Sequence, residues 1–285
     1  MRQRVHLLSI RRTVGGGWQG VGMLDVGEVE LFVRELGQRG DEPSLVVMHG
    51  GPDVGHGYLL PGFAEVQRHV VLFDFRGCGR STRGLPDDRL QPEYVVEDTR
   101  RLIAELGLGQ VDLLGFSTGG RAAMQFVDKH PALVRRLVLA STSAYDARAS
   151  QEYLAGWEEY QRRERLAKPE ERNSTIFVWD PAKAPAYLDL LNSLGTDTGD
   201  WSYERAMAGL IHPWFTGDPE TILRDFAKPI LILHGEKDMG FPVQLAERLH
   251  AAVPNSQLAV TPDAAHMCHF EQPNVWAQHL NAFLG

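Results

Sequence analysis

Cysteine is nearly absent from this 285-residue chain: Cys78 and Cys268 are the only two, 190 positions apart. A disulfide framework is thereby excluded, and a reducing cytoplasm is the expected setting. Positive charge is also short, with 29 Lys and Arg against 37 Asp and Glu and a formal charge of -8. Such a balance argues against nucleic acid and anionic membrane surfaces as partners. Long hydrophobic runs are missing too, so no segment is expected to span a bilayer. Val5–Ile10 is too short, and too soon followed by Arg11-Arg12, to serve as a secretory signal core. Neither a P-loop nor a dinucleotide fingerprint occurs, and His266-x-x-His269 by itself is far short of a metal site, so no cofactor or metal is expected.

What the chain does contain is a series of short apolar runs. Leu45–Met48, Val70–Phe73, Val111–Phe116, Leu137–Ala140, Ile230–Leu233 and Leu258–Val260 have the length and continuity of strands buried on both faces. Between them lie helical patterns: Glu93–Leu106 stopping at Gly107, Ala122–His130 stopping before Pro131, and Val243–Ala252 stopping before Pro254. This alternation predicts an α/β fold with a mostly parallel, doubly wound sheet. Two further strands are expected around Gly22–Val26 and Val29–Glu35, with a turn at Gly27. From Ser143 to about Phe226 the alternation stops, and charged, aromatic-rich helical segments replace it (Glu152–Leu166, Ala186–Leu194, Tyr203–Leu210). The expected organisation is a core of residues 20–143 and 227–285, a helical cap inserted at 144–226, and an N-terminal extension at 1–19. The cap holds Trp157, Trp179, Trp201 and Trp214, and that many bulky rings suggest an apolar, enclosed pocket.

Gly115-Phe116-Ser117-Thr118-Gly119 lies between a strand run and a helix pattern. A serine between glycines at such a junction is a nucleophile elbow, which holds the hydroxyl above the end of a sheet. A serine hydroxyl is a weak nucleophile unless a base reaches it, and the base must itself be oriented. His266 follows the last strand run by a few residues and is the candidate base; His269, three residues on, reads as a packed histidine. Asp238 follows the Ile230–Leu233 run and is the favoured acid over Glu236, which suits a solvent-facing position, and over Asp146. Acyl transfer also needs donors for a developing oxyanion. The Thr118 N–H after the nucleophile and the Gly51 N–H of His49-Gly50-Gly51-Pro52 are the candidates. Asp74 and Arg76, in a glycine-rich loop after Val70–Phe73, read as residues that fix that loop near the site.

With these residues in place, the chain resembles the α/β-hydrolase superfamily from about Gly20 to its C-terminus. Within it, His49-Gly50-Gly51-Pro52, Asp74-x-Arg76-Gly77-x-Gly79-x-Ser81 and His266-x-x-x-x-Glu271-x-Pro273 look most like the proline iminopeptidase branch. The resemblance implies a cofactor-free Ser-His-Asp hydrolase with a helical cap and a small ester or amide substrate, carried by Ser117, His266 and Asp238. The sequence departs from the branch at Asp53, where glycine is usual, and at Phe116 and Thr118 in the elbow. Iminopeptidases hold the substrate's free amine with cap carboxylates, one of them just before a His-Tyr-Phe segment. The nearest likeness here, His212-Pro213-Trp214-Phe215, is preceded by Leu210 and Ile211 instead. An ester, thioester or lactone with an apolar acyl group is therefore the expected substrate, with Asp53, Phe116, Trp157, Trp179 and Trp214 as candidate contacts. The alternatives are an iminopeptidase-like aminopeptidase, a C–C hydrolase, lyase or acyltransferase using the same triad, and a ligand receptor on the same scaffold.

Overall fold

The computed structural model of the chain describes residues 6–7, 11–12, 18–51, 55–145, 151–168, 172, 174–194, 200 and 218–285. The strands are β1 (His6–Leu7), β2 (Arg11–Arg12), β3 (Trp18–Asp25), β4 (Glu30–Leu36), β5 (Leu45–Met48), β6 (Val70–Phe73), β7 (Val111–Phe116), β8 (Val134–Ala140), β9 (Ile230–Gly235) and β10 (Ser256–Thr261). They form one sheet in the order β1-β3-β4-β6-β5-β7-β8-β9-β10, with β2 also paired to β3. From β6 to β10 every neighbouring pair is parallel, while β1 to β4 are antiparallel. The expected N-terminal extension thus contributes β1, β2 and the start of β3 to the sheet edge. Its polar, glycine-broken composition hides that role, because edge strands are held by backbone pairing more than by apolar side chains.

The continuous apolar runs are explained by layers on both faces. Val46 and Met48 of β5 join one core with Leu113 of β7, and Leu45 and Val47 join the other with Leu114 and Phe116. This is the period of two of a strand, and here both phases are buried. The first core is closed by α1 (Pro92–Glu105), α2 (Thr118–Lys129), α5 (Pro219–Phe226) and α6 (Val243–Ala252). The second is closed by a 3-10 segment at Gly57–Phe63 and by α8 (Pro273–Leu284), whose Trp276 is fully buried. Between β8 and β9 the described residues include α3 (Gln151–Leu166) and α4 (Ala184–Leu194). The expected helix at Tyr203–Leu210 lies outside the described residues. Among the described residues no helix is long and apolar enough to cross a membrane.

The strand order places the site. The chain goes from β5 to β6 on one side and then returns to β7 on the other side of β5. Loops leaving the carboxyl ends of β5 and β7 therefore diverge, and a crevice opens between them at this switch point. Gly50-Gly51 leaves β5 there, and Ser117 leaves β7.

Candidate active site

Ser117 has φ +54° and ψ -121°, a conformation unfavourable for a residue with a side chain. Three bonds hold it. Its N–H donates to Ala140 O at 2.9 Å, and its carbonyl accepts from Gly120 N–H at 2.9 Å and from the Thr142 hydroxyl at 2.6 Å. The sharp turn lets α2 start beside the end of β5, so close that a Cβ on Gly119 would stand 2.2 Å from Met48 O. Gly50 is as confined: a Cβ there would meet the Ser117 Cβ at 2.4 Å. Only glycine fits at either position.

Ser117 Oγ lies 3.1 Å from His266 Nε2, and His266 Nδ1 lies 2.8 Å from Asp238 Oδ2. The structure thus brings Ser117, His266 and Asp238 from three loops, after β7, β10 and β9, into one hydrogen-bonded chain. With Nδ1–H donating to the carboxylate, Nε2 is left as an acceptor facing the serine. Asp238 is held by its other oxygen, which accepts from Gly240 N–H at 2.9 Å and Phe241 N–H at 2.8 Å. Burial pushes the Asp238 carboxyl up, but the facing His266, His234 and the Phe241 N–H outweigh it and leave the group below the usual carboxylate range. His234 supports the same loop: its Nε2 is 2.6 Å from Phe241 O, to which it donates, and 3.5 Å from Asp238 Oδ2.

The loop after β5 is built around Tyr58. Its hydroxyl accepts from Gly50 N–H at 2.9 Å and donates to Gly50 O at 2.8 Å. His49, fully buried and stacked on Phe75, accepts from Phe75 N–H at Nε2 and has Nδ1 2.9 Å from Gly50 O. Burial lowers its pKa to about 4, so it is neutral. With Gly50 satisfied in this way, the free donors at the crevice are Gly51 N–H and Thr118 N–H, which have no protein acceptor among the described residues. The Asp74 carboxylate anchors the far side of the loop, accepting from His56 N–H at 2.8 Å and Arg80 N–H at 2.9 Å. Arg76 turns away to a bidentate pair with Asp98 of α1, at 2.6 and 2.7 Å.

The remaining candidates are placed differently. Phe116 is fully buried among Tyr58, His269 and Trp276, with the tilted His266 ring 5.3 Å away, so it packs beside the base as part of the core. The reason is strand alternation, since Phe116 belongs to the second core with Leu114. Trp157 is 38% exposed on α3, where it packs on Tyr153 and Tyr160. Trp179 has the Arg163 guanidinium 4.1 Å above its ring. Asp53, Trp214 and the rival acid Asp146 lie outside the described residues. Glu236 is exposed and accepts from Asp263 N–H. His269 is buried, donates to Tyr58 O at 3.1 Å, and is desolvated to a pKa of about 3. Cys78 and Cys268 are both buried and form no disulfide.

Two rings missed in the sequence flank the histidine: Phe177, 6.1 Å from the His266 ring, and Phe241, 5.6 Å away. Phe241 follows Asp238 by three positions, which was the available signal. Phe177 carried none, because its approach depends on Met267 N–H donating to Phe177 O at 2.9 Å across the fold. Among the described residues no group of His, Cys, Asp and Glu could hold a metal ion.

Comparison with known proteins agrees with this architecture. Residues 43–273 match the family model described as alpha/beta hydrolase fold. The chain is 29% identical to a proline iminopeptidase of Lactobacillus delbrueckii subsp. lactis, covering 90% of this chain and 95% of that one. It is 26% identical to a proline iminopeptidase of Clostridium botulinum, with the same coverage. Among solved structures it resembles a proline iminopeptidase-related protein of Thermus thermophilus, with a TM-score of 0.75 and 25% identity over 93% of this chain and 97% of that one. A 2-hydroxy-6-oxo-6-phenylhexa-2,4-dienoate hydrolase of Rhodococcus sp. shares the fold, with a TM-score of 0.71 at 20% identity over 94% and 99% of the two chains. The chain belongs to the α/β hydrolase fold family, in its proline iminopeptidase-like branch.

Proposed function

We propose that the protein is a serine hydrolase that cleaves a small ester, thioester, lactone or amide through an acyl-enzyme. The observation that carries this reading is the continuous chain from Ser117 Oγ to His266 Nε2, at 3.1 Å, and from His266 Nδ1 to Asp238 Oδ2, at 2.8 Å. His266 takes the hydroxyl proton as Ser117 Oγ attacks the carbonyl carbon. Asp238 holds the imidazole in the required tautomer and stabilises the imidazolium. The oxyanion is received by the Gly51 and Thr118 N–H groups, a kind of donor worth roughly 3 kcal/mol each. Collapse expels the leaving group with the His266 proton, and a water deprotonated by His266 then releases the acid.

An apolar acyl group is favoured by the rings beside the base, Phe177 and Phe241. A second reading, removal of an N-terminal residue from a peptide, is favoured by the names of the relatives. It requires a carboxylate free to hold an ammonium group. Two buried carboxylates flank the His266 loop, Asp238 and Glu271, and both already accept backbone N–H groups. Nitrophenyl esters of increasing acyl length, run beside prolyl and alanyl arylamides, separate the two readings; preferential turnover of the arylamides would displace the first. Ser117→Ala should lose both fluorophosphonate labelling and turnover, the latter by at least roughly 10⁴-fold. Labelling that persists in that variant would remove Ser117 from the mechanism.

A further inference from the structure

We propose that Glu271 is a positioning residue that ties the His266 loop to the segment leading into α4, so that the placement of the base depends on how that segment is docked. The proposal rests on the reading of His266 as the base. Glu271 ends the short helix α7 (Cys268–Glu271), and its side chain is buried, though nothing in the mechanism uses it. One carboxylate oxygen accepts from two successive backbone N–H groups, Trp179 at 2.9 Å and Asp180 at 3.0 Å. The other accepts from Ala265 N–H at 2.6 Å, the residue immediately before His266. A single side chain therefore bridges two strands of backbone that belong to different parts of the fold. Two further contacts run in parallel. Met267 N–H donates to Phe177 O at 2.9 Å, and the Lys183 ammonium donates to the Glu271 carbonyl.

The consequence is geometric. Residues 265–267, with His266 at their centre, are stitched on both sides to residues 177–180, and Phe177 of that segment lies beside the His266 ring. Moving residues 177–180 outward would pull on Ala265 through the same carboxylate. An amide cannot replace this group. A glutamine can turn its oxygen toward Trp179 and Asp180 or toward Ala265, but its NH₂ then faces an N–H on the other side. Burial would make that opposition costly.

Glu271→Gln tests the idea, measured as the rate of fluorophosphonate labelling at Ser117 and as kcat and KM on a nitrophenyl ester. Misplacing a base by a fraction of an ångström should lower kcat and the labelling rate together, by roughly 10- to 100-fold, with KM little changed. Unchanged kcat and labelling, with only the melting temperature reduced, would overturn the proposal, and so would a rise in KM alone. Should Glu271→Gln fail to fold, Lys183→Met decides, since it removes one of the parallel contacts at a half-buried position. A several-fold loss of kcat at constant KM supports the coupling, and an unchanged kcat overturns it. Failure of the underlying reading is distinguishable, because it would appear as labelling of the Ser117→Ala control whatever Glu271 does.

Discussion

At the scale of single residues, the site depends on which atom faces which. Asp238 offers one oxygen to His266 Nδ1 and the other to Gly240 and Phe241 N–H groups. Asp238→Asn keeps the shape and removes the charge, and its amide can present NH₂ to Nδ1 and reverse the imidazole tautomer. The expected loss in kcat is roughly 10³- to 10⁴-fold with little change in folding. The check is steady-state kinetics beside circular dichroism; an effect under tenfold would point to a different acid, with Asp146→Asn as the comparison. His266 and Asp238 were legible as candidates because chemistry restricts the residue types and topology restricts where in the chain they occur. Phe116, expected as a substrate contact, has its side chain buried in the second core with Leu114, a placement set by strand alternation along β7. Phe177 was missed because a ring brought in by a long-range backbone bond leaves no local pattern.

At the scale of elements, the junction of β7 and α2 decides whether the site exists. The strained Ser117 backbone is maintained by bonds from Ala140, Gly120 and Thr142, and by α2 lying against the end of β5. Gly119→Ala would place a methyl 2.2 Å from Met48 O and 2.4 Å from His49 O, both rigid backbone atoms. The variant should lose about 1–3 kcal/mol, or more, since neither element can yield without opening the sheet. A urea unfolding midpoint and the labelling rate should therefore fall together, and a variant that keeps both would contradict the close approach. Most element positions followed from period and punctuation. Boundaries moved where backbone bonding continues past the apolar run. β9, for instance, extends through His234 and Gly235, and α2 begins at Thr118. The edge strands β1 and β2 were not foreseen, for their hydrogen bonds come from partners rather than from their own side chains.

For the whole molecule, histidines buried in the core with lowered pKa values, His49, His234 and His269 among them, link folding to pH. His49 and His269 have native pKa values of about 4 and about 3, depressed by burial. In the unfolded chain both would take up a proton below about pH 6.5. The unfolded state therefore binds more protons, and stability falls as pH drops below that value until the native pKa values are reached. By pH 5 the loss is about 2 kcal/mol for each histidine, a large share of a typical total of roughly 5–15 kcal/mol. Glu271 acts in the opposite sense, because burial raises its native pKa above the ordinary value. Asp238, with its lowered pKa, adds a further loss only below the ordinary carboxylate range. Urea midpoints at about pH 7 and pH 5 should show the decline, and His269→Gln should reduce it by about 2 kcal/mol. An equal pH dependence in that variant would assign the effect to other groups.

The amino-acid sequence by itself determined the alternation of buried strands and helices, the serine at a strand-to-helix turn, and the order of Asp238 and His266 after it. Those features are local or periodic, so they survive projection onto one dimension. Tertiary structure decided which residues meet. Parallel pairing puts β5 next to β7 and opens the crevice between Gly50-Gly51 and Ser117. Three loops far apart in the chain then close to within hydrogen-bonding distance. Only the packed fold could place the Glu271 carboxylate between Ala265 and Trp179, because the backbone donors it joins lie 86 positions apart in sequence. Their proximity comes from crossing the sheet, and no local pattern encodes that.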